Sequence, residues 1–436
     1  MIQGFSGGLL RNTELFYLLD LPTFQRDFAQ FKTLDHATGP AITFTRASNA
    51  TFFDADGVLQ TASNNVPRFD HDSANGNSLG LLIEEARTNS IRNSQAGGST
   101  NGAIGSGGAV PTHWASANAA ANGVSTEIIG TGTEAGLSYI DIKFSGTPSA
   151  SSSVTIFFEA NTQVVAANGQ TWAASAYYKL VAGSLSNATV RHTISGRVAG
   201  GTSVAGQASQ PTITPTSAAL STQRSSAAFA FTDATVERVN GFVNIVYTSG
   251  NPIDLTLRIA APQLEQGAFP TSYIPTTSAA ATRATDVADI TSISSFYNQA
   301  EGTLFAEGVI RKNTDGTPLL FDDTTENEVA RISVLSSGIP SLVVVDGGVS
   351  QAAIGIGSAI TEPFTYKMAG AIKENDFQAA LNGTLGTADT SGTMPTVTRL
   401  RIGRRLAATG VYSGHIAKIA YWPRRLSDTL LQQLTT

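Results

Sequence analysis

Apolar and polar residues alternate with a period of two through most of this chain, and that alternation constrains the fold more than any motif does. In YIDIKFSG, Ile140, Ile142 and Phe144 alternate with Asp141, Lys143 and Ser145; in PIDLTLRIAAPQLE, Ile253, Leu255, Leu257 and Ile259 alternate with Asp254, Thr256 and Arg258. Successive side chains of a strand point to opposite faces, so each segment offers one face to a core and one to water. GQTWAASAYYKL places Trp172, Ala174, Ala176, Tyr178 and Leu180 on one face, and VTIFFEA and NGFVNIVYTSG supply further strands. Gly- and Asn-rich breaks separate these at short intervals, and no β-α-β alternation appears. The fold class read from the pattern is all-β, as antiparallel sandwiches or jelly rolls.

At 436 residues the chain exceeds what one core usually serves, so two to four domains are expected. Charged residues make up 14% of it, against about 25% in ordinary soluble domains. The 27 Lys and Arg against 33 Asp and Glu leave a net charge of -6, which excludes charge-driven binding of nucleic acid. There is no cysteine, hence no disulfide framework and no cysteine-ligated metal. The opening MIQGFSGGLLRNTELFYLLDL lacks a basic leader with an unbroken apolar stretch. No run approaches the ~18 apolar residues of a membrane span. A soluble, unprocessed protein made in the cytoplasm is expected.

The pattern divides the chain. Residues 1–40 hold compact apolar-aromatic pieces, and Phe24, Phe28 and Phe31 fall at i, i+4 and i+7, the spacing of one helical face suited to docking or oligomerisation. Residues 41–92 read as hairpins, with Asp54-Ala55-Asp56-Gly57 as a turn. An EF-hand calcium loop starting at Asp54 would need Glu at its twelfth position, where Asn65 stands, so no metal is assigned. Residues 93–276 form the first sandwich, 277–286 a linker, and 287–436 a second sandwich. The polar tract 198–226 fits either a disordered linker or a polar outer strand with a long loop. In the last region, Asn382-Gly383 predicts a type I′ hairpin turn, and LSDTLLQQLTT predicts a short helix capped at Ser427 or Asp428.

Catalytic chemistry finds little support. His36, His71, His113, His192 and His415 lie at no metal-ligand spacing. A glycosidase needs two carboxyl groups about 5–10 Å apart, whereas Glu84-Glu85 and Asp322-Asp323 are strand neighbours that point to opposite faces. Nothing marks out Glu159, Glu265 or Glu307, and no nucleophile elbow, P-loop or dinucleotide fingerprint is present. No enzyme activity and no cofactor are expected. Sugar binding suits the composition better, since sugar rings stack on aromatic faces while amides and carboxylates take the hydroxyls. Trp114, Tyr177 and Tyr247 are the candidates, against the commoner use of strand aromatics for packing; Trp172 and Tyr178 are assigned to the core. Arg399, Arg401, Arg404, Arg405, Arg424 and Arg425 form a basic cluster that fits an acidic glycan, a neighbouring subunit or, most commonly, charged strand edges.

Three stretches resemble known families. GQTWAASAYYKL and IAAPQLEQGAFPTSYIPT are similar to the glycine-then-aromatic strand and closing strand of family 4 and 9 carbohydrate-binding jelly rolls. FQAALNGTLG, LRIGRR and YSGHIAKIAYWPRRLSDTLLQQL resemble the hairpin, following strand and final strand-plus-helix of laminin-G and concanavalin A-like domains. FTRASNATFFDADGVLQTASNNVPRFDHD and LGLLIEEARTN resemble a segment common in tail and head fibre (spike) proteins of tailed bacteriophages. Together these imply a virion-surface structural protein anchored through its first 92 residues to capsid or tail proteins. They also imply a homo-oligomer, a trimer by analogy, that meets host-surface glycan. The alternatives are a phage polysaccharide-degrading enzyme and a secreted bacterial adhesin.

Overall fold

The computed structural model describes residues 21–35, 38–311, 316–406 and 411–436. It is all-β, built of antiparallel sheets, and the α-helices among the described residues are Phe28–Phe31 and Asp428–Thr435. No helix of the described residues is long and apolar enough to cross a membrane. The chain divides into two compact units that interleave in sequence. A central unit comprises Arg46–Ser78 and Ala86–Thr285, and a flanking unit comprises Met1–Thr45, Leu79–Glu85 and Asp286–Thr436. The 41–92 stretch is thus shared between the units rather than forming one of its own.

The central unit has two sheets. In the six-stranded sheet the order is Arg224–Ala230, Thr171–Ser184, Ile253–Gln266, Leu137–Gly146, Val124–Glu134 and Gly102–Ala103. In the seven-stranded sheet Ser203–Ser209, Ala188–Arg197, Arg238–Tyr247, Ser152–Phe157 and Ala115–Ala117 follow one another, with Val164–Val165 and Thr212–Ile213 pairing at the side. Register puts like positions in rows: Ile142 stands between Ile128 and Leu257, and Val243 between Ile156 and His192. Alternation then sends Ile140, Ile142, Phe144, Leu255, Leu257 and Ile259 from one sheet against Val154, Ile156, Val190, Ile194, Val243 and Ile245 from the other. Each such side chain, fully buried, contributes about 1.5–3 kcal/mol. The polar tract at 198–226 supplies the edge strand Ser203–Ser209, so its sparse apolar content reflects an edge position and not disorder.

Of the expected linker 277–286, residues 277–280 are exposed, while Arg283 and Asp286 are buried. Thr271, Tyr273, Ile274, Thr276 and Arg283 are buried, and Ala281–Arg283 pairs with Arg87–Asn89. The polar side chains just before that linker are spent on internal hydrogen bonds. Glu265 takes bonds from the Thr271 backbone N–H (2.9 Å) and hydroxyl (2.5 Å) and from Gln263 (2.7 Å), while Arg283 donates to Thr271 and Ser272 (both 3.0 Å). The Ser94 and Tyr273 hydroxyls pair at 2.7 Å.

The flanking unit assembles two sheets from distant parts of the chain. One runs Thr384–Leu385, Gln378–Leu381, Phe364–Lys373, Glu301–Ile310 and Gly414–Trp422, and the last of these also pairs with Phe24–Asp27 and with residues 81–83. The other runs Thr43–Thr45, Val287–Ile290, Arg399–Ile402, Leu319–Asp322, Val329–Val334, Pro340–Asp346 and Val349–Gly355. Asn382 (φ 45°) and Gly383 (φ 79°) make the two-residue turn that joins Gln378–Leu381 to Thr384–Leu385. Ser427 caps the terminal helix by accepting from the Leu430 N–H, and Leu431 is buried beneath it.

The three phenylalanines near the start do not share a helical face. Phe24 lies on a strand opposite Tyr421 and stacks on Phe296 at 4.9 Å, and only Phe28–Phe31 is helical. Asp27 caps that single turn and Lys32 ends it in the left-handed conformation. Phe24 and Phe28 are core residues of the flanking unit, which corrects their assignment to docking; Phe31 is exposed. Pairing with Gly414–Trp422 satisfies the backbone there, an outcome helical periodicity alone does not register.

Candidate binding face of the central unit

The aromatics proposed from sequence as a sugar platform are all buried, and that assignment is corrected. Trp114 donates its indole N–H to the Asn93 carbonyl (2.8 Å) and meets Phe158 edge-on. Tyr177 lies under Phe53 and the Arg224 guanidinium, and Tyr247 points into the core. None offers a ring face to solvent: their exposures are 6%, 3% and 3%. The packing use of strand aromatics prevailed because each sits where alternation or a covering hairpin closes over it.

The candidate is instead the outer face of the seven-stranded sheet, on which Phe157, Arg191, Arg238 and Asn244 are half-buried and Thr193, Asn240 and Phe242 are buried. Val154 and Ile156, Val190 and Ile194, and Val243 and Ile245 face the core, so the residues between them face outward. Phe157, Phe242 and Thr193 form one outward row across three strands. Thr155, Asn244 and Arg191 form the next, and Asn240 with Ser195 and Arg238 with Arg197 lie on the other side. The Phe157 and Phe242 rings are 5.1 Å apart between centroids, and the Arg197 guanidinium covers both at 5.3 and 5.4 Å. Burial lowers the Arg197 pKa to about 10, which still leaves it cationic at neutral pH.

Polar atoms on this face are held ready. Asn240 is oriented by donating to the Glu159 carbonyl (2.8 Å) and to Asn161 Oδ1 (2.7 Å). Behind it, Glu159 is fully buried and bound in two-pronged fashion by Arg92, at 3.0 and 2.7 Å. Thr155 donates to Asn244 (2.7 Å). Asn240 Oδ1, Thr193 Oγ1, Arg191 Nε and Arg197 Nε are buried without a hydrogen-bond partner among the described residues. The pattern R-x-T-x-S-x-R over Arg191–Arg197 was the available sequence signal; a search confined to aromatics passes over it.

The other flagged residues are engaged structurally. Glu265 is buried among Thr271 and Gln263, and Asp322 is paired with Arg401. Glu84 is buried and its backbone N–H donates to Asp286. Glu307 stands in register with Lys367 and Lys418. In the basic cluster, Arg399 and Arg404 share Asp289, Arg405 meets Glu326, and Arg425 meets Asp376 and Asp428; Arg424 is half-buried. Arg399 and Arg401 belong to an interior strand, not an edge. Asp54 closes its own turn, accepting from the Asp56 and Val58 N–H groups and from Gln60. His36 lies outside the described residues, and no metal-binding cluster of His, Asp and Glu occurs among the described ones.

No protein-family model matches the sequence, and no curated protein matches it. Among solved structures the chain is similar to the CBM40 module of a Ruminococcus gnavus IT-sialidase, bound to alpha2,6 sialyllactose, at 14% identity and TM-score 0.28, over 32% of this chain and 85% of that one. It is similar to the CBM22 tandem of Paenibacillus barcinonensis Xyn10C at 8% identity and TM-score 0.24, over 75% and 98%. It is also similar to a Trypanosoma rangeli sialidase at 10% identity and TM-score 0.24, over 72% and 68%. Scores this low place no constraint on what the chain binds.

Proposed function

We propose that this chain is a non-catalytic glycan-binding protein of a virion surface, with the outer face of the seven-stranded sheet as its binding face. One observation carries the glycan reading: the half-buried Phe157 stands beside half-buried Asn244 and Arg191 on adjacent outward rows of one sheet. Sugars present an apolar ring face and a rim of hydroxyls, and this arrangement matches both. The virion setting rests on the resemblance of residues 41–92 to phage fibre segments. In a trimer, three weak sites would gain affinity through effective concentration.

The test is a glycan array probed with the full chain and with Asn244→Ala and Phe157→Ala. Specific binding that falls at least tenfold in both variants, at unchanged melting temperature, supports the reading. Binding indifferent to both substitutions overturns the choice of face. New reducing ends from host polysaccharide would overturn the non-catalytic part.

A further inference from the structure

Both sheets of the central unit end in edge strands, and three of the four are blunted. Gly102–Ala103 is two residues long and Ala115–Ala117 three. Ser203–Ser209 contains left-handed Gly206 (φ 72°), and its register slips between Ser195 and Arg197 of the neighbouring strand. Arg224–Ala230, the fourth, runs seven residues in unbroken register with residues 171–177 and carries no Lys, Pro or bulge. Natural sheets rarely leave such an edge bare, because its unpaired backbone groups are a template for another strand.

The direction of those groups follows from the ladder. At its two ends the Tyr178 N–H donates to the Gln223 carbonyl (3.1 Å) and the Phe231 N–H to the Gln170 carbonyl (2.9 Å). Antiparallel pairs alternate between bonded and non-bonded, so in between it is Ser225, Ala227 and Phe229 that bond back to the sheet. The N–H and C=O groups of Ser226, Ala228 and Ala230 therefore point out of it. Those three residues are exposed, and no strand pairs beyond them among the described residues. Their side chains are small and uncharged, so they do not hold off a second backbone. Arg224, at the start of the strand, is turned back onto the Tyr177 ring and the Ser175 hydroxyl (2.9 Å).

We infer that this edge pairs with the same edge of a second copy of the chain, antiparallel about a two-fold axis at Ala228. In that register Ser226 faces Ala230 of the second copy, Ala228 faces its own counterpart, and Ala230 faces Ser226, so every outward N–H and carbonyl of the three residues gains a partner. The charges suit a copy of the same strand. The two Arg224 positions fall at opposite ends of the joint, about 25 Å apart along the strands. Each then lies at the end where Asp233 follows the strand of the other copy. The Ser–Ala and Ala–Ala pairs between them bring no like charges together. Such pairing closes at two copies, so a trimer would need a different contact. It uses the six-stranded sheet, whereas Phe157, Asn244 and Arg191 belong to the seven-stranded one.

The test is sedimentation equilibrium of the full chain and of Ala228→Lys and Ala228→Glu. Because Ala228 meets its counterpart across the axis, either substitution alone sets like charges opposite each other, and a mixture of the two sets opposite charges there. The natural chain is expected to dimerise, each variant alone to dimerise at least tenfold more weakly, and an equimolar mixture of the variants to recover the dimer, with the melting temperature unchanged in all three. A natural chain that stays monomeric at every concentration overturns the inference, as does any oligomer indifferent to both substitutions. Weakening in both variants without recovery on mixing overturns the two-fold register at Ala228.

Discussion

Asn89 grips Ile274 across 185 positions of sequence: its side-chain amide donates to the Ile274 carbonyl at 3.0 Å and to the Pro262 carbonyl at 3.3 Å. Its oxygen accepts from the Leu264 and Ile91 N–H groups, both at 3.1 Å. One fully buried amide thus satisfies two carbonyls and two N–H groups, tying its own segment to the long strand Ile253–Gln266 and to Ile274 beyond it.

Asn89→Ala leaves all four backbone groups without that partner. Each buried, unmade hydrogen bond costs on the order of 1–3 kcal/mol, so a net loss of about 3 kcal/mol is expected after partial rearrangement. Urea unfolding followed by tryptophan fluorescence measures it, since Trp114 and Trp172 both lie in this core. A loss below about 0.5 kcal/mol, the level of an ordinary surface change, rejects the clamp.

Stability should depend on pH through His192. Its ring is buried against Phe158 and Tyr178 and faces the Tyr178 hydroxyl at 2.6 Å. Burial, with the Arg224 charge adding to it, lowers its pKa from 6.5 to about 4. The folded state therefore favours the neutral ring. The stabilisation is complete above pH 6.5 and is lost as pH falls from there through about 4, amounting to roughly 3 kcal/mol. Melting temperatures between pH 7 and 4 for the natural chain and His192→Gln should show a shallower fall in the variant; parallel curves contradict this.

Residues 287–436 alone should not fold cooperatively. That fragment lacks Phe24–Asp27, Thr43–Thr45 and Leu81–Ile83, each of which pairs into a sheet of the flanking unit. Tyr421 and Phe296 would lose the buried Phe24 ring. A broad, weak thermal transition by circular dichroism is expected, and a sharp one near that of the full chain refutes the prediction.

Gly383→Ala should cost about 1 kcal/mol, because φ of 79° is strained for any residue with a Cβ. Chemical denaturation of the full chain, read at the transition of the flanking unit, tests this. A neutral or stabilising result would mean that the hairpin relaxes to another turn.

Local order was legible in the sequence. Ile140, Ile142 and Phe144 alternate into the core as the period requires, Ser427 caps the helix, and Asn382-Gly383 turns where its dipeptide predicts. Partner choice was not. Alternation assigns Arg191, Thr193 and Arg197 to one face but does not say that Phe157 and Phe242 lie beside them, since that depends on which strands pair. Residues 277–286 read as a linker because nothing local tells that Ala281–Arg283 will pair with Arg87–Asn89. Phe24, Phe28 and Phe31 fit a helix until Tyr421, far along the chain, claims Phe24 for a strand.

The interleaving of the two units sets an order of events during translation. Thr23 and Tyr421 are 398 positions apart, so at ribosomal rates of about 5–20 residues per second the early strand waits roughly 20–80 s for its mate. By then the ribosome has delivered everything the central unit needs. Phe24 and Phe28 spend that interval as exposed aromatics on a nascent chain, which makes slow synthesis or chaperone shortage a greater hazard to the flanking unit than to the one synthesised inside it.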